Sequence, residues 1–357
     1  MSQFLTGVGV IFSLEMRQRL RGVAWYVLLG VFFAILLLIT IGTSVVVFSN
    51  GGSDAGKHVG APLYSITIYF VLLLGVLVAP AMSGNAINGD RDAGTLATTQ
   101  VTLISTGQLV LGRFFAAWAT AAGFLVVSLP FLIYSAVLGG TDGLTIVVSL
   151  LVLLTELGVV AAIGVGLSGL IVRPLFSVVV TYLAVAALTL GTLIMFALGG
   201  LAVQTKIVQY EYDNVHQSSR TCTGLTSYAT SVPRFDLDWG TLAPNPFVVL
   251  SDAVPATFDR YGNPTDLFGD FKFTERSAQI SPVQNNTPAA ACRDDLGYDS
   301  RSESDPRDSA KSVIARTAPS WAVGLGVQLV LAVAALLGAW ARTRTPARRL
   351  AKGSRIA

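Results

Sequence analysis

Charge is what this chain has least of. Its 357 residues include 24 Lys and Arg and 21 Asp and Glu, 13% in all, about half the roughly 25% of an ordinary soluble protein. So thin a supply of charge excludes one large water-soluble domain. Histidine is nearly absent, with only His58 and His216, and the two cysteines, Cys222 and Cys292, lie far apart. No metal-site spacing follows from these residues, and no Ser/His/Asp or Cys/His constellation is available for a membrane enzyme. No run of Lys and Arg with interleaved aromatics occurs, so nucleic acid has no electrostatic footprint to meet. Nor is there a G-x-x-x-x-G-K-[ST] loop, so this chain has no such cradle for nucleotide phosphates.

What is present is apolar sequence in long runs. Hydrophobic residues make up 52% and the mean hydropathy is +0.63. The charges are unevenly placed: residues 204–316 hold 26 of them, a soluble density, and the rest of the chain is sparse. About 20 apolar residues are needed to cross roughly 30 Å of hydrocarbon. Six segments meet that length: 23–48, 63–82, 109–138, 144–172, 175–203 and 319–341. Several exceed the minimum, which predicts tilt or extension beyond the bilayer. Pro80 and Pro130 fall inside spans and predict a kink or local opening. The first apolar run is too long for a cleavable signal.

Loop charge sets the expected orientation. Residues 1–22, 83–108, the Arg173–Pro174 turn and the basic tail 342–357, with Arg113 at the mouth of the third span, carry twelve cations against Glu15, Asp90 and Asp92. The one cation in the short loops opposite is Lys57. The positive-inside rule therefore places both termini in the cytoplasm, in a plasma-membrane protein. The expected fold is an all-α polytopic membrane protein: an amphipathic interfacial helix over 1–22, five spans within 23–203, an extracytoplasmic domain over 204–316, and a sixth span within 317–341.

The insert 204–316 contains both cysteines and eight of the fourteen prolines. In an oxidising compartment a Cys222–Cys292 disulfide is expected, and two buried free thiols are the alternative. Closing that loop stabilises a fold by roughly 4 kcal/mol in the chain-entropy account. The prolines and the lack of a long periodic segment predict an irregular, turn-rich domain of short helices or strands. One helix is readable, with Asn245 as N-cap, Pro246 at its first position, and Phe247, Leu250 and Val254 on one face. The charge-dense stretch 293–311 reads as a weakly structured approach to the last span.

The loop between the second and third spans is chemically distinctive. Asp90, Arg91 and Asp92 form a charged cluster, Gly94-Thr95-Leu96 turns the chain, and an apolar edge of Val101, Leu103 and Ile104 reaches Ser105. Leu109-Val-Leu-Gly-Arg113 then opens the third span. A short helix with one apolar edge suits a groove on a cytoplasmic partner; packing against headgroups and its own bundle is the simpler reading. In order and spacing this pattern resembles the permeases of type-2 ATP-binding-cassette exporters. There an acidic residue precedes Gly-Thr-Leu by four positions, followed by an apolar stretch, a Ser and Leu-Val-Leu-Gly-Lys/Arg. Asp90 stands where Glu is usual, Thr98-Thr99 where leucines are usual, and Leu103 where Pro often sits. The basic amphipathic N-terminal segment, the six spans and the Pro246-Phe247 helix extend the likeness, which covers about two-thirds of the chain and omits most of the insert.

The resemblance implies a transport subunit without enzymatic activity of its own and with no bound cofactor. ATP and Mg would sit on separate P-loop ATPase subunits, which Asp90, Arg91, Asp92, Gly94, Thr95, Leu96 and Ser105 would couple to the spans. A second permease, identical or a paralogue, would complete the path through the lipid bilayer for a lipid, drug or peptide. Glu156, the one acidic residue deep in a span, is a substrate-path or subunit-interface candidate; a protonated carboxyl donating to a helix carbonyl or to Thr155 is the alternative. Gly158, Ala162 and Gly166 form a small-residue face for close helix approach. Arg17, Arg19 and Arg21 are expected to meet anionic lipid. Two other classes stay open: an ion-gradient-driven carrier titrating Glu156, and a signalling or assembly protein acting through its outer domain.

Overall fold

The computed structural model describes residues 2–50, 60–89, 105–138, 140–216, 221–259, 262–282, 288, 291–292 and 309–344. Among them the chain is mostly helical. Helix α1 covers Ser2–Arg21 and α2 Val23–Asn50, followed by α3 Gly60–Ser83, α4 Thr106–Val137 and α5 Gly143–Leu170. Next come α6 Pro174–Ala186 and α7 Thr192–Ala202, joined by a π-helical turn, Ala187–Gly191. Strands β1 Gln204–His216 and β2 Thr221–Pro233 come next, then α8 Trp239–Leu242, α9 Pro246–Ala253, α10 Leu267–Ser277, α11 Ala310–Arg316 and α12 Ser320–Thr343. Among the described residues six helical segments are long and apolar enough to cross a membrane: Val23–Val46, Gly60–Ser83, Thr106–Val137, Gly143–Leu170, Pro174–Ala202 and Ser320–Thr343. The chain is a multi-pass membrane protein in this sense, and each predicted span has its helix.

The chain divides into two compact units. The first comprises Met1–Asp142, Ser149–Ala187 and Gly326–Ala357; the second comprises Gly143–Val148 and Leu188–Leu325.

In the first unit Ile87, Val110, Ala117, Ala161, Val165 and Ala339 form a buried cluster, flanked by Phe114 and Trp118. Between helices in lipid the hydrophobic effect is weak, so close packing and hydrogen bonds carry association. Small residues provide the closeness. A Cβ on Gly166 would come within 2.6 Å of the Ala335 backbone, and one on Gly158 within 3.0 Å of Trp118 Nε1. The face read from Gly158, Ala162 and Gly166 thus packs inside the unit, with Gly158 toward α4 and Gly166 toward α12. Trp118 Nε1 donates to Leu154 O at 2.8 Å, and the Tyr64 and Ser149 hydroxyls meet at 2.8 Å. Pro80 and Pro130 lie inside α3 and α4, whose helices run on past them. The Leu77 carbonyl, in the turn before Pro80, accepts from the Tyr182 hydroxyl at 2.9 Å.

In the second unit the expectation of only short elements is corrected. β1 and β2 are 13 residues each and pair antiparallel from Gln204↔Pro233 to His216↔Thr221. Tyr, Val, Ile and Thr dominate this stretch and suit a pleated surface. Gly224, at φ +77°, takes a left-handed conformation opposite Asp213. Cys222 and Cys292 are bonded, with Cα atoms 5.7 Å apart, so the disulfide ties β2 to a point 70 residues downstream. Residues 293–308, expected to be weakly structured, lie outside the described residues; α11 follows them, N-capped by Ser309.

The fifth span is not one regular helix. At its π turn, Asn245 Nδ2 donates to Thr189 O at 2.7 Å and to Thr192 Oγ1 at 2.9 Å. The same side chain accepts from Phe247 N at 2.9 Å, capping α9 as the sequence predicts. One amide therefore both starts α9 and occupies the π turn. The buried face of α9 is Val249 and Leu250, continued by Val254, while Phe247 is only half-buried.

Candidate functional site

The candidate site is the segment joining α3 to α4 together with the residues that hold its two ends. Asp90, Arg91, Asp92, Gly94, Thr95 and Leu96 lie outside the described residues; Ser105 and both flanks are described.

At the leading end the chain leaves α3 in a turn stitched to α5 and α6. The Ile87 and Asn88 backbone N–H groups donate to Ser168 Oγ at 2.9 and 3.1 Å. Asn88 Nδ2 donates to Ile171 O at 2.6 Å, and Ser177 Oγ donates to Gly84 O at 2.7 Å. Ile87, Asn88, Ser168 and Ser177 are all fully buried. Hydrogen bonds in such surroundings hold because the alternative is an unsatisfied backbone group.

At the trailing end Ser105 N-caps α4 in a capping box: Gln108 N donates to its hydroxyl at 3.4 Å, and Ser105 N donates to Gln108 Oε1 at 2.6 Å. Gln108 Nε2 meanwhile donates to the carbonyls of Gln3 and Phe4, each at 3.2 Å. The cap of α4 is thereby bonded to the first turn of α1.

The two helices continue alongside one another. Val8, Ile11 and Glu15 form the buried face of α1. Arg113 Nη2 meets Glu15 Oε1 at 3.2 Å, Arg19 Nε lies 3.8 Å from Glu15 Oε2, and Arg19 Nη1 donates to Thr120 Oγ1 at 3.1 Å. Burial lowers the Arg19 pKa from its ordinary value; Glu15 opposes that shift and Arg113 adds to it. The amphipathic helix read from the sequence is present, but its buried face is filled by α4. At 32 residues α4 is about 48 Å long, well beyond the hydrocarbon thickness, and its first turns are what α1 covers.

Gly112 sets the spacing of this pair. A Cβ there would lie 2.6 Å from Ile11 Cβ and 3.1 Å from Val8 O. Gly112→Val should lift α1 from α4 at a cost of about 1–3 kcal/mol. Hydrogen exchange of residues 2–21 should then quicken while that of α5 stays unchanged.

Glu156 is placed elsewhere in the first unit. It is fully buried, with the side-chain amide of Gln328 on α12 as its polar neighbour. Gln328 is also fully buried. Two polar side chains on facing helices inside an apolar bundle are costly unless protonated, paired or wet.

Sequence reasoning missed a second cluster of charge, in the second unit. Asp252 of α9 receives Arg276 Nε at 2.7 Å and Nη2 at 3.0 Å, a bidentate pair. Its Oδ2 also accepts from Trp321 N at 2.9 Å and Ser320 Oγ at 3.0 Å, at the head of α12. Ser320 contacts Glu275 Oε1 as well, and Glu275 Oε2 is buried without a hydrogen bond among the described residues. Lys272 Nζ donates to Val254 O at 2.6 Å. Burial, then the neighbouring Asp252, push the Glu275 carboxyl up to about 8; burial lowers Lys272. Lys272, Glu275 and Arg276 read in sequence as the wet side of a surface helix, so nothing in their spacing pointed to burial. Among the described residues no group of three or more His, Cys, Asp or Glu could hold a metal.

No family model matches this sequence, and no curated protein matches it.

Proposed function

We propose that the chain is the permease subunit of an ATP-driven exporter of the type-2 ATP-binding-cassette class. In this reading both termini and residues 83–108 face the cytoplasm of a plasma-membrane protein, and residues 204–316 lie outside. A hydrophobic or amphipathic substrate moves outward along a path completed by a second permease. ATP and Mg are held by separate P-loop ATPase subunits.

The observation that supports this best is the fixing of the loop's two ends. Residues 84–88 are bonded to α5 and α6, and Ser105–Gln108 to α1 and α4. A partner pressing on the residues between them pushes on four helices at once, which is what a coupling element must do. Bistable packed elements, not soft ones, carry such a push.

The test is nucleotide hydrolysis by the co-purifying ATPase, reconstituted in liposomes with and without this chain. The permease should change the hydrolysis rate, and Asp90→Ala with Gly94→Leu should return it to the permease-free value. Hydrolysis indifferent to those replacements sinks the coupling assignment.

A carrier driven by an ion gradient is the second reading, favoured by the fully buried carboxyl group of Glu156 within a span. It requires uptake or efflux driven by a pH gradient in liposomes without ATP, abolished in Glu156→Gln.

A further inference from the structure

A groove of about 700 Å³ runs along the end of α2 against α4, lined by Leu37, Thr40, Ser44, Phe48, Phe131 and Tyr134 among others. That volume falls within the roughly 300–1,000 Å³ of ligand clefts. From Leu37 to Ser49 it extends about 18 Å along the helix. Phe131 in its lining packs against Phe33, the two rings tilted with centroids 5.0 Å apart. Among the described residues no charged side chain lines it.

Two hydroxyls interrupt this apolar surface. Thr40 is 5% exposed, and both Thr40 Oγ1 and Ser44 Oγ are buried without a hydrogen-bond partner among the described residues. Membrane helices ordinarily settle such hydroxyls on the carbonyl four residues back, as Thr43 does on Ile39 O at 2.7 Å. Thr40 and Ser44 do not, and one turn apart they face the same groove. Each is left with an unmet hydrogen bond in an apolar wall, which favours a ligand that brings an acceptor.

Their depth identifies the acceptor. Counting from Val23, where the apolar span begins, Thr40 and Ser44 lie about 26 and 32 Å along the helix. With roughly 30 Å of hydrocarbon, they straddle its far boundary, where glycerolipid ester carbonyls sit. The solvent of an open groove at this level is lipid.

We propose that this groove holds one acyl chain of a diester glycerophospholipid, with its ester carbonyl accepting hydrogen bonds from Thr40 and Ser44. The chain lies along Leu37 and Phe131, and the charged headgroup stays outside the groove. This site is independent of the ATP-coupling reading: it needs only that α2 and α4 span the bilayer.

The experiment compares a diester phosphatidylcholine with its diether analogue, which has the same chains and headgroup and lacks the carbonyls. Thermal unfolding of the full chain in detergent is followed against added lipid. The wild type should respond to the diester at lower concentration than to the diether, by about fivefold per hydrogen bond. Thr40→Val with Ser44→Ala keeps the side-chain size, should fold as well as the wild type without lipid, and should respond equally to the two lipids. A diester lipid carrying a diazirine in its chain should label Ile41, Val45 or Phe131. Equal response of the wild type to both lipids overturns the proposal, as does labelling that avoids these residues. A disulfide between two copies of the chain through Ile41→Cys or Val45→Cys in liposomes, with no preference for the diester, assigns the groove to a second copy and also overturns it.

Discussion

Arg276→Met should lower the stability of the second unit by about 3–5 kcal/mol, the cost of leaving a buried charge without its partner. The guanidinium makes both long-arm bonds to Asp252 and a third to Thr317 O at 2.7 Å, and the two charged side chains are almost wholly buried. Without Arg276, the Asp252 carboxylate keeps only the Ser320 hydroxyl and the Trp321 N–H. The effect should appear as an earlier thermal transition in the fluorescence of Trp239 and Trp321. Adding Asp252→Asn should recover part of the loss, because the stranded charge is gone; a double-mutant cycle separates the pair from its surroundings. A change within 0.5 kcal/mol in Arg276→Met would mean the carboxylate is reached by water.

The second large effect is on pH. Glu275 ordinarily titrates at 4.5 and is pushed up to about 8 in the folded protein, by burial first and by Asp252 second, against Ser320, Arg276 and Lys272. The folded state therefore holds this proton more tightly than the unfolded chain. Its contribution is fully present below pH 4.5, declines as pH rises, and is gone above about 8. At about 1.36 kcal/mol per pH unit the whole span is on the order of 5 kcal/mol. Glu275→Gln mimics the neutral acid and should flatten the curve between pH 5 and 8, ending more stable than the wild type at pH 9. Lys272 contributes the opposite slope at the alkaline end, because burial lowers its pKa, and it loses the opposing pull of the Glu275 charge in Glu275→Gln. Parallel curves for the two proteins would show that Glu275 ionises in the folded state at its ordinary pH.

Much of the membrane architecture is legible from residue order alone. An apolar run of sufficient length has few options in lipid, since its backbone must satisfy itself internally, and all six runs appear as helices. The Asn245 cap was equally local, a short polar side chain placed where it meets orphan N–H groups, whereas the capping role of Ser105 emerged only with the structure. The length of the strands was misjudged because the hairpin has neither a strong apolar run nor an obvious turn, and strand pairing depends on the partner. The π turn of the fifth span was invisible for the same kind of reason: it forms where Asn245, more than fifty residues away, supplies a donor.

Of the proposed site, the sequence located the segment 83–108 and the cluster Asp90–Leu96 but not what holds them. Ser168, Ser177 and the Gln3 and Phe4 carbonyls are unremarkable in any local window, and they matter only because folding brings them to the loop's ends. Glu156 was conspicuous by its charge, yet its burial beside Gln328 depends on the approach of α12.

The sequence by itself determined that this is a membrane protein with six apolar runs of spanning length, and that Cys222 and Cys292 are the one pair available for a disulfide. These follow from length, hydropathy and the short list of available partners. Only the tertiary structure decided that α1 is spent on α4, that four charged side chains in the second unit are buried together, and that Thr40 and Ser44 face an open groove. Burial and pairing are properties of neighbours, and the neighbours here come from positions far apart in the chain.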